Sequence, residues 1–119
     1  EKVGGSDALR CNIDVTSLYD YQDLWHPAAK VEHVCTALAG HYGLCHLKGV
    51  ALKNGFHIHA ELAPITEDAT DWQQVLSLIA PHVPADSWVI LEHVATPDEA
   101  RTSLAHLRAA AARAGVSLA

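Results

Sequence analysis

Several features that would place this chain in a special class of protein are missing from its sequence. No apolar stretch approaches the roughly 20 residues that a membrane-spanning helix needs, so no membrane partner is expected. There is no internal repeat and no low-complexity tract among the 119 residues. An excess of positive charge is also absent, and the net charge of −6 disfavours a nucleic-acid partner.

The cysteines lack the paired spacing of a zinc ribbon and are odd in number, since there are only three. Cys11 and Cys45 fall inside apolar runs, where a thiol behaves as a small hydrophobic side chain. Free, buried thiols are typical of a reducing compartment. We therefore expect a cytoplasmic protein.

The composition is that of a globular domain, because half of the residues are hydrophobic and 18% are charged. Alternating or continuous apolar runs predict strands near residues 8–15, 44–51 and 88–94, and a shorter extended piece over 57–62. Apolar residues at helical spacing, with capping residues before them, predict helices near 28–41, 71–81 and 97–114. Strands that alternate with helices indicate an α/β fold with parallel strands, formed as one domain by residues 1–119.

Each of the three main strands carries a polar side chain just past its first apolar part, namely Asp14, His46 and Glu92. Side-chain parity places each of them opposite the more apolar face of its strand. If helices cover the apolar faces, the three side chains point together near the C-terminal ends of the strands. Two carboxylates and an imidazole suit a divalent ion such as Mn²⁺, Mg²⁺, Co²⁺ or Zn²⁺. The alternative is that they are buried polar residues in a barrel interior.

Five segments, taken in order, resemble the C-terminal part of the xylose-isomerase-like barrel family of sugar isomerases and epimerases. Residues 12–14 resemble the strand that ends in the family's aspartate ligand, and residues 45–48 its "H-x-K-D" strand. Residues 59–72 resemble the segment that usually reads "E-x-x-P-G-x-G-x-x-D-[WY]". Residues 90–93 and 96–100 resemble the last strand and helix. The ordered set is more specific than any one motif.

This resemblance implies strands six to eight of a (β/α)8 barrel and a metal-dependent isomerase or epimerase of a small sugar or polyol. By resemblance Asp14, His46 and Glu92 are metal ligands, and Glu92 is also the catalytic base. Lys48 and Glu61 are expected to bind substrate. The alternative for Lys48 is an interior lysine paired with Asp14 or Glu92. For Glu61, with His57 and His59, the alternative is the polar face of a hairpin at the barrel rim.

The chain also departs from the family pattern. Ser17 stands where the family often has histidine or asparagine three residues after its aspartate, and Gly49 replaces the aspartate of "H-x-K-D". Residues 64–67 lack the glycines of the family's turn. A complete barrel takes roughly 200 residues or more, so we expect either a fragment of a longer protein, lacking its N-terminal half, or a homo-oligomer. Two other functions stay open: a non-catalytic, truncated barrel piece that serves in assembly, and an endonuclease IV-like metal-dependent phosphodiesterase.

Overall fold

The computed structural model describes residues 9–118. Strands and helices alternate along this part of the chain, with one hairpin inserted after the second strand. The elements in chain order are β1 (Cys11–Ile13), α1 (Ala28–Ala37), β2 (Tyr42–Leu47), β3 (Gly49–Lys53), β4 (His59–Ala63), α2 (Trp72–Ile79), β5 (Val89–Leu91) and α3 (Pro97–Ala114).

The main sheet has three parallel strands in the order β1-β2-β5, so the predicted α/β class with parallel strands is confirmed. Ile13 pairs with Cys45, and Leu47 pairs with Leu91. Because β2 lies in the centre, its C-terminal end is flanked by the C-terminal ends of both other strands. The sheet is open at both edges within the described residues, and β1 and β5 are the open strands.

One predicted strand, 44–51, is wrong in its extent, because the main sheet ends at Leu47 and the chain leaves it at Lys48. Residues Gly49–Lys53 instead form an antiparallel hairpin with His59–Ala63, which contains most of the extended piece expected over 57–62. A Cβ atom on Gly49 would lie 2.5 Å from the carbonyl oxygen of Pro64. The hairpin therefore begins at a position where only glycine fits without a backbone shift, and a side chain such as the family's aspartate would require one.

The other strands and helices lie where the periodicity predicts them; α3 has the predicted bounds and the others are shorter. The predicted strand 8–15 is reduced to Cys11–Ile13, and its first residue lies outside the described part of the chain. Helix α2 begins one residue later than its capping signal suggests, because the Asp71 carboxylate, not Thr70, accepts hydrogen bonds from the N–H groups of Gln73 and Gln74. Helix α3 ends at Gly115, whose φ of 69° is the left-handed conformation expected of a C-terminal cap.

All three helices contribute to one core on one face of the main sheet. From the sheet, Ile13, Cys45 and Leu47 are buried in this core. The helices add mostly aliphatic side chains, among them Val31, Val34, Val75, Leu76, Ile79 and Leu107. The opposite face of the sheet is not covered by the described residues: Trp88 is 76% exposed and Ile90 40%. None of the helices described is long and apolar enough to cross a membrane.

Candidate metal centre

The three predicted ligands lie at the C-terminal ends of the three parallel strands, on the face that the helices leave uncovered. Asp14 follows the last residue of β1, and His46 is the penultimate residue of β2. Glu92 follows β5, and its backbone N–H donates to the carbonyl of Leu47, which holds it beside β2. Each is adjacent to a residue that packs towards the helices, so alternation turns all three side chains to the other face. The three side chains therefore lie together because their strands are neighbours and because side chains alternate between the two faces of a strand.

The three side chains converge closely. Each offers one ligand atom, and these atoms all lie within 4.8 Å of one another. The Nδ1 atom of His46 is 2.9 Å from Oε1 of Glu92. Ligand atoms about 2.1 Å from one ion are about 3 Å apart when adjacent and about 4.2 Å apart when opposite. The side chains therefore need only small rotations to hold one divalent cation, and their role as ligands stays a prediction.

Lys48 extends the group of three into a group of four. Its ammonium Nζ is 2.8 Å from Oδ2 of Asp14 and 3.7 Å from Oε2 of Glu92, and its side chain is 13% exposed. The alternative of an interior lysine paired with these carboxylates is the arrangement that the structure shows. The four side chains then carry about one net negative charge, since two carboxylates face one ammonium and one imidazole that is neutral unless protonated.

Two hydroxyl side chains that the sequence analysis did not assign to the site orient Asp14. The Ser17 hydroxyl donates to Oδ2 of Asp14 at 2.8 Å, and Thr16 donates to Oδ1 at 3.4 Å and to the Lys48 carbonyl at 3.0 Å. Partial burial raises the pKa of Asp14, but the hydrogen bonds from Lys48 and Ser17 outweigh it, so the pKa lies below 3.8. The carboxylate is thus ionised at neutral pH. A serine three residues after an aspartate is a recognisable side-chain turn signal.

The residue after Glu92 has an unusual backbone. His93 has a φ of 54°, in the left-handed region that side chains other than glycine seldom adopt. This conformation turns the chain out of the sheet directly after Glu92 and ends the strand that was expected to reach residue 94. Such backbone strain is often found next to functional side chains.

Glu61 lies apart from this group in the hairpin. It is on β4, its side chain is 54% exposed, and its Oε1 is 2.8 Å from Nε2 of His59. The hydrogen bond to Glu61, followed by one to the carbonyl of His57, raises the pKa of His59. The expected alternative, a polar face on a hairpin, describes this placement. Substrate binding by Glu61 remains a prediction.

The four grouped side chains provide two carboxylates, an imidazole and an ammonium at the open end of a parallel sheet. Partial exposure leaves that end accessible to a small polar molecule. Such a group can bind a cation and exchange protons with a bound ligand. Comparison of the chain with protein-family models, with curated proteins and with solved structures found no match.

Proposed function

We propose that Asp14, His46 and Glu92 bind one divalent cation and that the protein is an isomerase or epimerase of a small sugar or polyol. The observation that carries the proposal is the convergence of three potential ligand atoms within 4.8 Å at the C-terminal end of a parallel sheet. In α/β barrels this end of the strands carries the active site. The ordered resemblance to the xylose-isomerase-like family supports the same assignment.

The donor set favours Mn²⁺, Mg²⁺, Co²⁺ or Zn²⁺. Carboxylate oxygens suit all four ions, whereas an imidazole nitrogen favours the transition metals over Mg²⁺. Three protein ligands leave positions for a substrate or a further side chain, as catalytic sites require. When bound, the cation would hold two adjacent substrate oxygens and polarise a carbonyl group.

Glu92 is the residue that we assign to proton transfer. One of its oxygens faces His46 and the other faces Lys48, so one oxygen can bind the cation while the other takes or returns a proton. The proton would come from the carbon beside the carbonyl, which is the step that isomerases and epimerases share. By resemblance, a second glutamate outside this chain would serve the opposite face of the substrate.

We also propose that the three strands correspond to strands six to eight of an eight-stranded barrel. Support comes from the uncovered face of the main sheet, which carries the candidate site together with Trp88 and Ile90. Five further strands, from a preceding segment or another copy, would enclose this face. An endonuclease IV-like activity is the weaker alternative, because the net charge of −6 opposes a DNA backbone. A non-catalytic barrel piece is the remaining one, and Lys48, which already neutralises one carboxylate, favours it.

Metal titration of the EDTA-treated protein by calorimetry tests the proposal. We expect Mn²⁺ to bind at one site, and Glu92→Gln and His46→Gln each to weaken binding by at least about tenfold. Glu67→Gln is the matched control, because Glu67 pairs with Lys53 outside this group of residues. Mn²⁺ binding that is unchanged in Glu92→Gln, or that is absent both in the unsubstituted protein and in variants with a neutral residue at position 48, would contradict the metal site and favour the non-catalytic alternative.

Activity gives a second, independent test. In a protein that contains the whole barrel, Glu92→Gln should lower kcat by about 10²- to 10⁴-fold, as expected when a proton-transfer group is removed. The far-UV circular dichroism spectrum should stay the same, because Glu92 is only partly buried and lies at a strand end. Full turnover by Glu92→Gln would remove the proposed role of this residue.

A further inference from the structure

We infer that Lys48 is an internal cation that occupies the metal position, and that a divalent ion binds only by displacing its ammonium group. The inference rests on the proposed metal site and states that the Lys48 ammonium competes with the divalent ion for that site. It concerns how tightly the site holds its ion, which the set of ligands alone does not determine.

The first support is geometric. Lys48 Nζ contacts Oδ2 of Asp14 at 2.8 Å and lies 3.7 Å from Oε2 of Glu92, so it bridges two of the three candidate ligands. A cation held by both carboxylates must lie in the space between them, and the ammonium lies there now. The third candidate ligand, His46, contacts the other oxygen of Glu92 through Nδ1 at 2.9 Å, and its ligand atom lies within 4.8 Å of those of the two carboxylates.

The second support is the way the lysine is held. Lys48 is the single residue between β2 and β3, and its carbonyl accepts a hydrogen bond from the buried Thr16. Its backbone is therefore fixed beside the cluster, while the four-carbon side chain can still swing. With 13% of its side chain exposed, the lysine fills the space between the carboxylates and keeps a path to solvent.

Charge decides which cation can occupy the space. An ammonium a few ångströms from a divalent ion repels it strongly in a partly buried site, so the two cannot share the same carboxylate oxygens. Binding of the metal therefore breaks the ion pairs of Lys48 with Asp14 and Glu92 and requires the lysine side chain to rotate away. The displaced ammonium would stay tethered beside the site, where it could bind a substrate oxygen, as its position next to the candidate ligands allows.

Calorimetric titration of EDTA-treated variants with MnCl₂ tests the displacement. We expect Lys48→Met to bind Mn²⁺ at least about tenfold more tightly than the unsubstituted protein, a factor within the usual range of coupling between sites. Lys48→Arg keeps the charge and should not bind more tightly. Lys53→Met is the matched control, since it removes an exposed lysine that pairs with Glu67 at a distance of 2.9 Å, and its affinity should be unchanged.

Thermal unfolding supplies a readout that does not depend on the titration. In EDTA, Lys48→Met should melt at a lower temperature than the unsubstituted protein, because two carboxylates are left facing each other. Saturating Mn²⁺ should raise its melting temperature by more than it raises that of the unsubstituted protein. If Lys48→Met does not fold, Lys48→Gln, which is also neutral, replaces it in both experiments.

The outcomes separate this inference from the proposed metal site. Tighter Mn²⁺ binding by the neutral variants, but not by Lys48→Arg, supports both the metal site and the displacement of Lys48. Equal or weaker binding by the neutral variants, when the unsubstituted protein binds Mn²⁺, overturns the displacement and leaves the metal site in place. No binding by the unsubstituted protein or by any neutral variant overturns both.

Discussion

At the scale of single residues, Asp68 is one of two described residues, with Ser103, that have a buried side-chain oxygen without a hydrogen-bond partner among the described residues. Its Oδ1 accepts a hydrogen bond from the Trp72 indole at 3.0 Å, but its buried Oδ2 has no partner among the described residues. Burial, which outweighs the hydrogen bonds from Thr70 and Trp72, raises the pKa of Asp68 from 3.8 to about 6. The folded protein therefore holds this proton more tightly than the unfolded chain does.

This pKa shift predicts a pH-dependent stability. Because the folded pKa is raised, the contribution of Asp68 is most favourable below pH 4 and is lost as the pH rises to about 6. We expect Asp68→Asn to raise the free energy of unfolding at pH 7 by about 1–3 kcal/mol, since one pKa unit is worth about 1.4 kcal/mol. Urea denaturation at pH 4.5 and pH 7 checks this.

Asp86→Asn is the matched control for Asp68→Asn, because Asp86 is exposed and its substitution should change the stability by less than about 0.5 kcal/mol. The advantage of Asp68→Asn should shrink at pH 4.5. An equal gain in the free energy of unfolding at both pH values, or a loss of stability at pH 7, would show that burial of the ionised carboxylate does not destabilise the protein.

His93 leads to a second prediction for a single residue. Its φ of 54° costs little for glycine and more for any other residue. We expect His93→Gly to raise the free energy of unfolding by about 0.5–1 kcal/mol, and the β-branched His93→Val to lower it by about 1–2 kcal/mol. Chemical denaturation measures both. A less stable glycine variant would mean that the imidazole itself contributes contacts that outweigh the backbone strain.

At the scale of elements, the hairpin of β3 and β4 depends on the absence of a side chain at Gly49. A Cβ atom there would lie 2.5 Å from the Pro64 carbonyl oxygen and 2.9 Å from that of Ala63. We expect Gly49→Ala to lower the free energy of unfolding by about 1–3 kcal/mol, because the backbone must move to admit it. Denaturant titration measures the change.

Gly55 offers the matched control for Gly49→Ala. A Cβ atom on Gly55 would be 3.6 Å from its nearest neighbour, which is an ordinary contact. Gly55→Ala should therefore be neutral or slightly stabilising. Similar losses in both variants would mean that glycine flexibility, and not close packing, is what the hairpin needs at residue 49.

The elements also show which parts of the fold can be predicted from the sequence and which cannot. Periodicity located the three parallel strands and the three helices, and parity placed Asp14, His46 and Glu92 on one face, because both follow from local spacing. The break at Lys48 could not be predicted in this way, since the apolar pattern of residues 44–51 predicts one strand. What ends the strand is the packing of Gly49 against Ala63 and Pro64, a contact between segments distant in sequence.

At the scale of the whole molecule, the uncovered face of the main sheet predicts self-association. Trp88 on this face is 76% exposed, and both edge strands have free hydrogen-bonding groups within the described residues. We expect dimers or larger species in sedimentation velocity at micromolar concentration, and a shift towards monomer in Trp88→Gln. Trp25→Gln, on the loop between β1 and α1, is the control. A monodisperse monomer of the unsubstituted chain would contradict this prediction.

The position of the candidate ligands on three different strands has a further consequence. An ion bound by Asp14, His46 and Glu92 would act as a reversible cross-link between segments that are far apart in the chain, and would stabilise the folded state because the unfolded chain does not hold the three ligands together. Local unfolding of any one strand end would release the ion. Metal retention would then report on the integrity of the entire sheet, and chelation would loosen all three strand ends together.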